Sequence, residues 1–342
     1  MGAGTAQGGA CLLISGKERK NMEFVVFAGV LLLLFIFMIV QELIQTKNQE
    51  KLFKKYLREN YGKEPPKEYS LERFARLGSY LERHKEEKQL DDITWNDLGM
   101  DEVFRRIDRT YSAAGEEYLY YTLRNISCGR EALEHLEEVV NWLQEQENIK
   151  VRIQLLMKRL GHLGKYSLYD YLDNLDYLGE RSNRKIVLGN LLYLPFLLLL
   201  FVQPAMGTIG IVLCMLWHIM TYFREKKVIE PYIISFAYVL RLIDVCEELE
   251  KQKIPVYRRE LDELREALKS LRELRRGAYW VMAGNQGKIG GNPLDILADY
   301  LRMILHLDIF QFNRMLEKLR KKTGQVETML AITGYLDMAI SV

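Results

Sequence analysis

The chain has 342 residues, of which 27% are charged and 49% are hydrophobic, and its formal net charge is +2. This composition is typical of a folded protein and excludes a chain that is disordered throughout. The near-neutral charge excludes a global basic field that would draw the whole molecule to nucleic acid. The four cysteines form no Cys-x-x-Cys pair, so neither a zinc site nor a disulfide framework is indicated.

Residues 1–23 are rich in small residues and show no hydrophobic periodicity, which predicts a flexible tail. A start that is assigned too far upstream, with translation beginning at Met22, is an equal alternative. Residues 24–44 follow as a nearly unbroken apolar run, about as long as the ~20 residues that cross a bilayer. A signal peptide would have a shorter apolar region and a small-residue cleavage site, so we predict a transmembrane anchor. Five basic residues follow the run, which predicts that the next domain is cytoplasmic: Lys47, Lys51, Lys54, Lys55 and Arg58.

Residues 45–90 are predicted as a juxtamembrane helical linker. A charged helix reaches Asn60 and ends at Gly62 and Pro65-Pro66, and a second polar helix covers residues 69–89. The basic residues of the first helix can bind anionic headgroups or form a solvated charged face. The sequence leaves both alternatives open.

Residues 91–124 carry apolar side chains at helical spacing on two consecutive helices, with a break near Thr110. Spacing alone describes an ordinary amphipathic helical hairpin. Five residues in it form an ordered pattern: Thr110, Gly115, Leu119, Leu123 and Arg124.

This pattern resembles the core-domain motif of MutS-like DNA mismatch repair ATPases, and within them the membrane-associated MutS-related proteins. Further helices are predicted at 131–146, 148–161 and 166–178, and the first two are similar to the next part of the MutS core. The resemblance covers residues 91–185 as the first half of a core domain.

Two apolar runs follow, Ile186–Val202 and Ala205–Phe223, and only Gln203-Pro204 separates them. Both runs are near the minimum length of a membrane span, and basic residues occur on both outer flanks but not in the turn. This arrangement predicts a transmembrane hairpin over 186–223 that returns to the cytoplasm. A buried hairpin of a soluble helical protein is the alternative. His218 is predicted as an interfacial histidine rather than a proton relay.

Residues 224–342 are predicted as the second half of the core and lever helices, with helices at 230–251, 258–276 and 293–320. Leucines recur along the second of these as in a short coiled coil, and its arginines can pair with neighbouring glutamates or approach phosphates. The glycine-rich loop 283–292 fails the GxxxxGK[ST] pattern of a phosphate-binding loop. Residues 328–342 resemble the phrase that precedes the ATPase domain in MutS-like proteins, with Gly334, Leu336, Asp337 and Ala339 in the matching positions.

The predicted fold is therefore all-α: a helical core and lever with a transmembrane anchor and a transmembrane hairpin, in a multi-pass protein of the cell membrane. The resemblance implies the non-catalytic core and lever part of a membrane-associated MutS-like protein, ending where an ATPase domain begins. Its full-length relatives would bind ATP with Mg²⁺ and mismatched or structured DNA, and would act as homodimers.

No catalytic, cofactor or metal site is predicted within these residues, because they contain no Walker motif and no paired histidine ligands. Whether the protein is an enzyme is left open, since the ATPase activity belongs to the missing domain. The alternative function is a membrane-anchored helical scaffold that binds neither DNA nor nucleotide.

Overall fold

The computed structural model describes residues 36–63, 71–85, 88–126, 129–163, 167–275 and 293–342. Within these ranges the chain is helical, and its only β pairing is an isolated bridge between Gln89 and Asn125. The prediction of an all-α fold is confirmed. The structure separates into two units, Met1–Lys63 and Glu64–Val342.

The first unit contains one described helix, α1, over residues 36–59. The remainder of the predicted anchor and the tail before it lie outside the described residues. The apolar side chains from Ile36 to Ile44 are exposed. Two lysines that the sequence offered for headgroup binding pair with glutamates one turn away, Lys54 with Glu50 and Lys55 with Glu59. These pairs favour the solvated charged face.

The second unit is built from the remaining helices, numbered in chain order. They are α2 (Leu71–Arg83), α3 (Asp92–Asp97), α4 (Met100–Ile107), α5 (Ala113–Arg124), α6 (Arg130–Glu145), α7 (Glu147–Leu160), α8 (Leu168–Asp173), α9 (Arg184–Leu191), α10 (Tyr193–Val202), α11 (Pro204–Glu250), α12 (Arg258–Leu271), α13 (Pro293–Leu305), α14 (Leu307–Arg320) and α15 (Thr323–Ser341). Short 3₁₀ turns at Asn174–Leu178, Pro255–Tyr257 and Arg272–Arg275 connect some of them. The glycine-rich loop 283–292 lies outside the described residues.

The core of the second unit forms where α5, α7, α11, α12 and α15 pack together. Helix α2 also packs on α5, with Leu77 fully buried, although the sequence assigned this helix to a polar linker. The polar residues and the leucines lie on opposite sides of this helix, and the side that carries the leucines is buried.

Helix α11 is longer than predicted. The sequence indicated separate helices at 205–223 and 230–251, but residues Pro204–Glu250 form one helix of 47 residues, about 70 Å long. The charged segment between the two predicted helices consists mostly of good helix formers, and Pro231 is accommodated inside the helix. The same helix therefore belongs to both the apolar hairpin and the helical core.

Two helical segments are long and apolar enough to cross a membrane, Arg184–Val202 and Pro204–Glu250. The turn between them lies at Gln203, as predicted. In the most apolar 18-residue window of each segment, only 6% and 28% of the residues are buried. This exposure argues against the alternative of a buried hairpin in a soluble protein, since such helices would lie inside a core.

The predicted helix over 293–320 is broken in the structure. Helix α13 ends at Leu305 and α14 begins at Leu307, because His306 adopts a left-handed backbone conformation with φ of 54°. Histidine has no strong helix-breaking preference, so the sequence carries little signal for this break.

Candidate functional site at the crossing of α5 and α15

The start of α5 is held by an aspartate that lies more than 200 residues away in sequence. Ser112 is the N-cap residue, and its Oγ accepts a hydrogen bond from the Gly115 amide at 3.1 Å. The Asp337 carboxylate on α15 accepts from the Ser112 amide at 2.8 Å and from its hydroxyl at 2.6 Å. It also accepts from the Tyr111 amide at 3.1 Å. A buried carboxylate is favourable here because the helix N-terminus carries unpaired amides and a partial positive charge.

Two glycines allow α5 and α15 to approach this closely. A Cβ atom at Gly115 would lie 2.3 Å from Asp337 Oδ2, and one at Gly334 would lie 2.6 Å from the Ala114 carbonyl oxygen. No real Cβ contact is so short, so neither position can hold a larger residue without moving its neighbours. The crossing brings together three of the residues that the MutS resemblance singled out.

A second connection lies one helical turn further along α15. The Ser341 hydroxyl accepts from the Arg109 amide at 2.7 Å and donates to the Ile107 carbonyl, also at 2.7 Å. Thr110, which is fully buried, donates from its amide and its hydroxyl to Asp108 Oδ1. The loop from α4 to α5 is therefore fixed along its length by α15 and by its own side chains.

The other end of α5 is anchored by Arg124. Its guanidinium donates to the Leu90 carbonyl at 3.0 Å, to Asp92 Oδ1 at 2.8 Å and to Tyr120 Oη at 2.6 Å, and lies 4.3 Å from the centre of the Trp95 ring. A planar guanidinium can make such stacked and hydrogen-bonded contacts together, which an ammonium group cannot.

The two leucines of the motif lie between these ends. Leu119 is buried with Leu77, Phe104 and Met338, and Leu123 packs at the edge of that cluster. The residues of the predicted pattern therefore contribute to the packing of α5 and α15, to the ends of α5 or to the loop before it, and Leu336 and Ala339 are buried in the core as well.

A group of buried charged residues beside the crossing was not found from the sequence. Arg76 on α2 donates to Glu116 at 2.6 Å, and His162 lies 3.4 Å from the same carboxylate. The neighbouring Glu117 accepts from the Ser167 hydroxyl at 2.9 Å. Burial raises the pKa of Glu117 to about 8, because the charged carboxylate loses its hydration. Acidic residues near the start of a helix are common because the macrodipole favours them, so no sequence signal indicated that both would be buried.

These contacts hold α2, α5 and the segment after α7 together. Within the described ranges, no group of three His, Cys, Asp or Glu side chains is placed to hold a metal ion. On α12, basic side chains pair with acidic neighbours, Arg259 with Glu263 and Arg265 with Asp262. These pairs support the glutamate-pairing alternative for α12 over phosphate contact.

No protein-family model matches the chain, and neither a curated protein nor a solved structure is detectably similar to it.

Proposed function

We propose that this chain is the core and lever part of a membrane-associated, MutS-like protein, and that it couples rearrangements of a helical body to a membrane hairpin. The hairpin comprises the predicted spans Ile186–Val202 and Ala205–Phe223. The body lies on the cytoplasmic side, as the basic flanks of the hairpin favour. Binding of ATP belongs to the full-length relatives that the resemblance implies, whereas contact with mismatched or structured DNA is proposed for the helices of this chain as well.

The observation that carries the proposal is the continuity of α11. Its first part exposes large apolar side chains such as Ile209, Leu213 and Leu216, as a membrane helix does. Its last part buries Phe236, Leu240 and Ile243 in the body core. A continuous helix that is packed along one end can carry rotation or tilt to its other end, although Pro231 removes one backbone hydrogen bond between the two parts of α11.

The crossing of α5 and α15 supports the MutS-like part of the proposal. The two stretches that the resemblance pairs, 91–124 and 328–342, are far apart in sequence and meet through Gly115, Gly334 and Asp337. Helix α15 packs on α5 and also on α11, so movement of α15 would reach the hairpin through the core.

The second candidate is a membrane-anchored scaffold that has no nucleic-acid function. The pairing of Arg259 and Arg265 favours it, since a phosphate would have to compete with Glu263 and Asp262 for these side chains. The two candidates differ in whether the chain binds DNA.

The discriminating experiment is a DNA-binding assay on the full chain in lipid nanodiscs. Deleting the hairpin to obtain a soluble fragment is unsuitable, because the deletion would cut α11 in its middle. Matched and mismatched duplexes are titrated across a salt series. Affinity that falls steeply with salt would support phosphate contact, and no binding even at low salt would favour the scaffold.

The membrane part of the proposal is tested by thiol labelling in intact cells. We expect Gln203→Cys, at the turn of the hairpin, to react with an impermeant reagent from outside. Ser182→Cys, just before α9, should react only after permeabilisation. The opposite pattern, or equal reaction at both positions, would contradict the proposed topology.

A further inference from the structure

The turn between α13 and α14 contacts the membrane hairpin well inside its apolar runs. The Asn190 side-chain amide donates to the Leu305 carbonyl at 3.1 Å, and Thr221 Oγ1 lies 3.4 Å from His306 Nε2. The ring centres of His218 and His306 are 5.3 Å apart. The end of α13 therefore lies against both α9 and α11.

Helix α14 runs alongside the hairpin rather than across it. Asn183, at the start of α9, donates to the Phe310 carbonyl at 3.0 Å and accepts from Asn313 at 2.8 Å. Asn190, seven residues later, reaches Leu305. Seven residues of helix rise about 10 Å, and over this distance the contacts move from Phe310 and Asn313 on α14 back to Leu305 at the end of α13. The turn at His306 therefore lies about 10 Å further along the hairpin, towards its apolar part, than the contacts of Asn183 do.

The depth of this turn follows from the same contacts. Asn190 lies four residues after Ile186, where the first apolar run begins, which is about 6 Å along the helix. His218 lies five residues before Phe223, where the second run ends, which is about 7.5 Å. Interfacial membrane helices lie about 5–10 Å deep, at the boundary of headgroups and acyl chains.

The side chains near the turn suit such a position. Tyr300 is 56% exposed and Leu301 is 47% exposed, although both belong to an element that packs on α11. Tyrosine is favoured at the membrane interface. Between them and the turn, Arg302 is buried and pairs with Asp299 at 2.8 Å. The charge of Arg302 is therefore paired, while the side chain of Asp299, next to Tyr300 in the chain, is 63% exposed.

Part of the backbone at the turn has the hydrogen-bond partners that a membrane environment requires. Irregular backbone is tolerated at membrane depth only where protein groups satisfy its polar atoms. The Leu305 carbonyl at the break has its partner in Asn190, and the amide of Phe310 bonds to the His306 carbonyl at 2.8 Å. This requirement gives Asn190 a role, although an amide side chain within a membrane span is otherwise unfavourable.

We infer that α13, His306 and α14 form a re-entrant helical element whose turn dips into the bilayer beside the hairpin, with Tyr300 and Leu301 in contact with lipid. The partner of this surface is the lipid of the leaflet where the hairpin enters. The inference rests on the proposed membrane hairpin and adds a membrane contact that the hydrophobic runs of the sequence do not include.

The test is depth-dependent quenching of a fluorophore in vesicles that carry spin-labelled lipids. The full chain is labelled at Leu301→Cys and, separately, at Tyr300→Cys, and is reconstituted into phosphatidylcholine vesicles. Leu198→Cys in the middle of α10 reports on the hairpin. Leu133→Cys, an exposed leucine of α6 in the body, is the matched control. Circular dichroism confirms the helical content of each variant.

Labelling requires a suitable cysteine background. Cys214 and Cys246 are buried and remain, while Cys11 and Cys128 are replaced by serine. This background, labelled in parallel, gives the signal to subtract.

We expect lipids with the spin label high on the acyl chain to quench both Leu301→Cys and Tyr300→Cys at least twofold more than Leu133→Cys. Quenching of Leu198→Cys alone would overturn the re-entrant element and leave the hairpin in place; it would point to a protein-docking face at Leu301. Absence of quenching at Leu198→Cys by lipids that carry the spin label near the end of the acyl chain would instead refute the membrane hairpin itself, because Leu198 lies about 18 Å beyond Ile186 along the helices.

Discussion

Replacing Gly115 by alanine is the sharpest test of the crossing between α5 and α15. The new methyl group would lie 2.3 Å from Asp337 Oδ2 and 2.6 Å from Asp337 Cγ. The carboxylate must move away, and it then loses its bonds to the amides of Tyr111 and Ser112. The variant therefore combines overpacking with unpaired buried amides.

The magnitude follows from these two effects. Overpacking of a tight interior costs about 1–3 kcal/mol, and each buried donor left without a partner costs roughly 1–3 kcal/mol. Alanine recovers up to about 1 kcal/mol through its higher helix propensity. We expect Gly115→Ala to lower the free energy of unfolding by about 3 kcal/mol. For a unit as large as Glu64–Val342, with an unfolding entropy of about 2.1 cal/mol/K per residue, the melting temperature would fall by roughly 5 °C.

The assay is thermal unfolding of the full chain in detergent micelles, followed by near-ultraviolet circular dichroism. Gly78→Ala is the matched control, because Gly78 also lies within a helix but has no atom within 4 Å of the position that an alanine methyl group would take. It should leave the protein equally stable or raise its stability by up to about 1 kcal/mol.

A double-mutant cycle separates the steric cause from other effects. In an Asp337→Gly background the clash is absent, because the Cβ atom of residue 337, which would lie 2.6 Å from the new methyl group, is removed together with the carboxylate, so Gly115→Ala should cost much less than in the native chain. Equal costs in both backgrounds would refute the reasoning. A Gly115→Ala variant that melts with the native protein would refute it as well.

Two further predictions concern buried charges. Glu117→Gln should match the native stability at pH 5 and exceed it at pH 8.5. The reason is that the pKa of Glu117 is raised to about 8 in the folded protein. The stability that its protonated carboxyl contributes is full below about pH 4.5 and is lost as the pH rises through 8. Parallel curves of melting temperature against pH for the two proteins would contradict this. Arg124→Lys should lower the free energy of unfolding by about 1–3 kcal/mol, since lysine cannot keep the contacts to Trp95, Asp92 and Tyr120 together. Arg130→Lys is the control, because the Arg130 side chain is 91% exposed. Its replacement should change the stability by less than about 0.5 kcal/mol. An equal loss in both variants would contradict the prediction for Arg124.

Local patterns in the sequence predicted much of the helical structure. The helices at 131–146 and 148–161 occur within one residue of the expected bounds, as α6 and α7. The turn at Gln203 was also predicted, because proline begins helices well and the apolar runs end there. Such signals depend on neighbouring residues, so the sequence alone contains them.

Helix ends that depend on tertiary contacts were predicted less well. The sequence predicted a helix end near residue 224, within what is α11, because a change from apolar to charged residues resembles a helix boundary. The sequence also predicted a continuous helix through His306, but the structure breaks there. The left-handed backbone of His306 is held by contacts with α9 and α11. Hydrophobic periodicity reports which face of a helix is buried and not where a continuous helix changes its surroundings.

The sequence by itself determined that the chain is helical, that it carries long apolar runs, and that Gly115 and Asp337 belong to distinctive stretches. Only the tertiary structure decided that these two residues touch, that Glu116 and Glu117 are buried beside them, and that α11 joins the hairpin to the core. The physical reason is the range of the interactions. Helix formation follows from residues within a few positions of each other, whereas burial of a charge or closeness of two glycines depends on segments that the chain brings together from more than 200 residues apart.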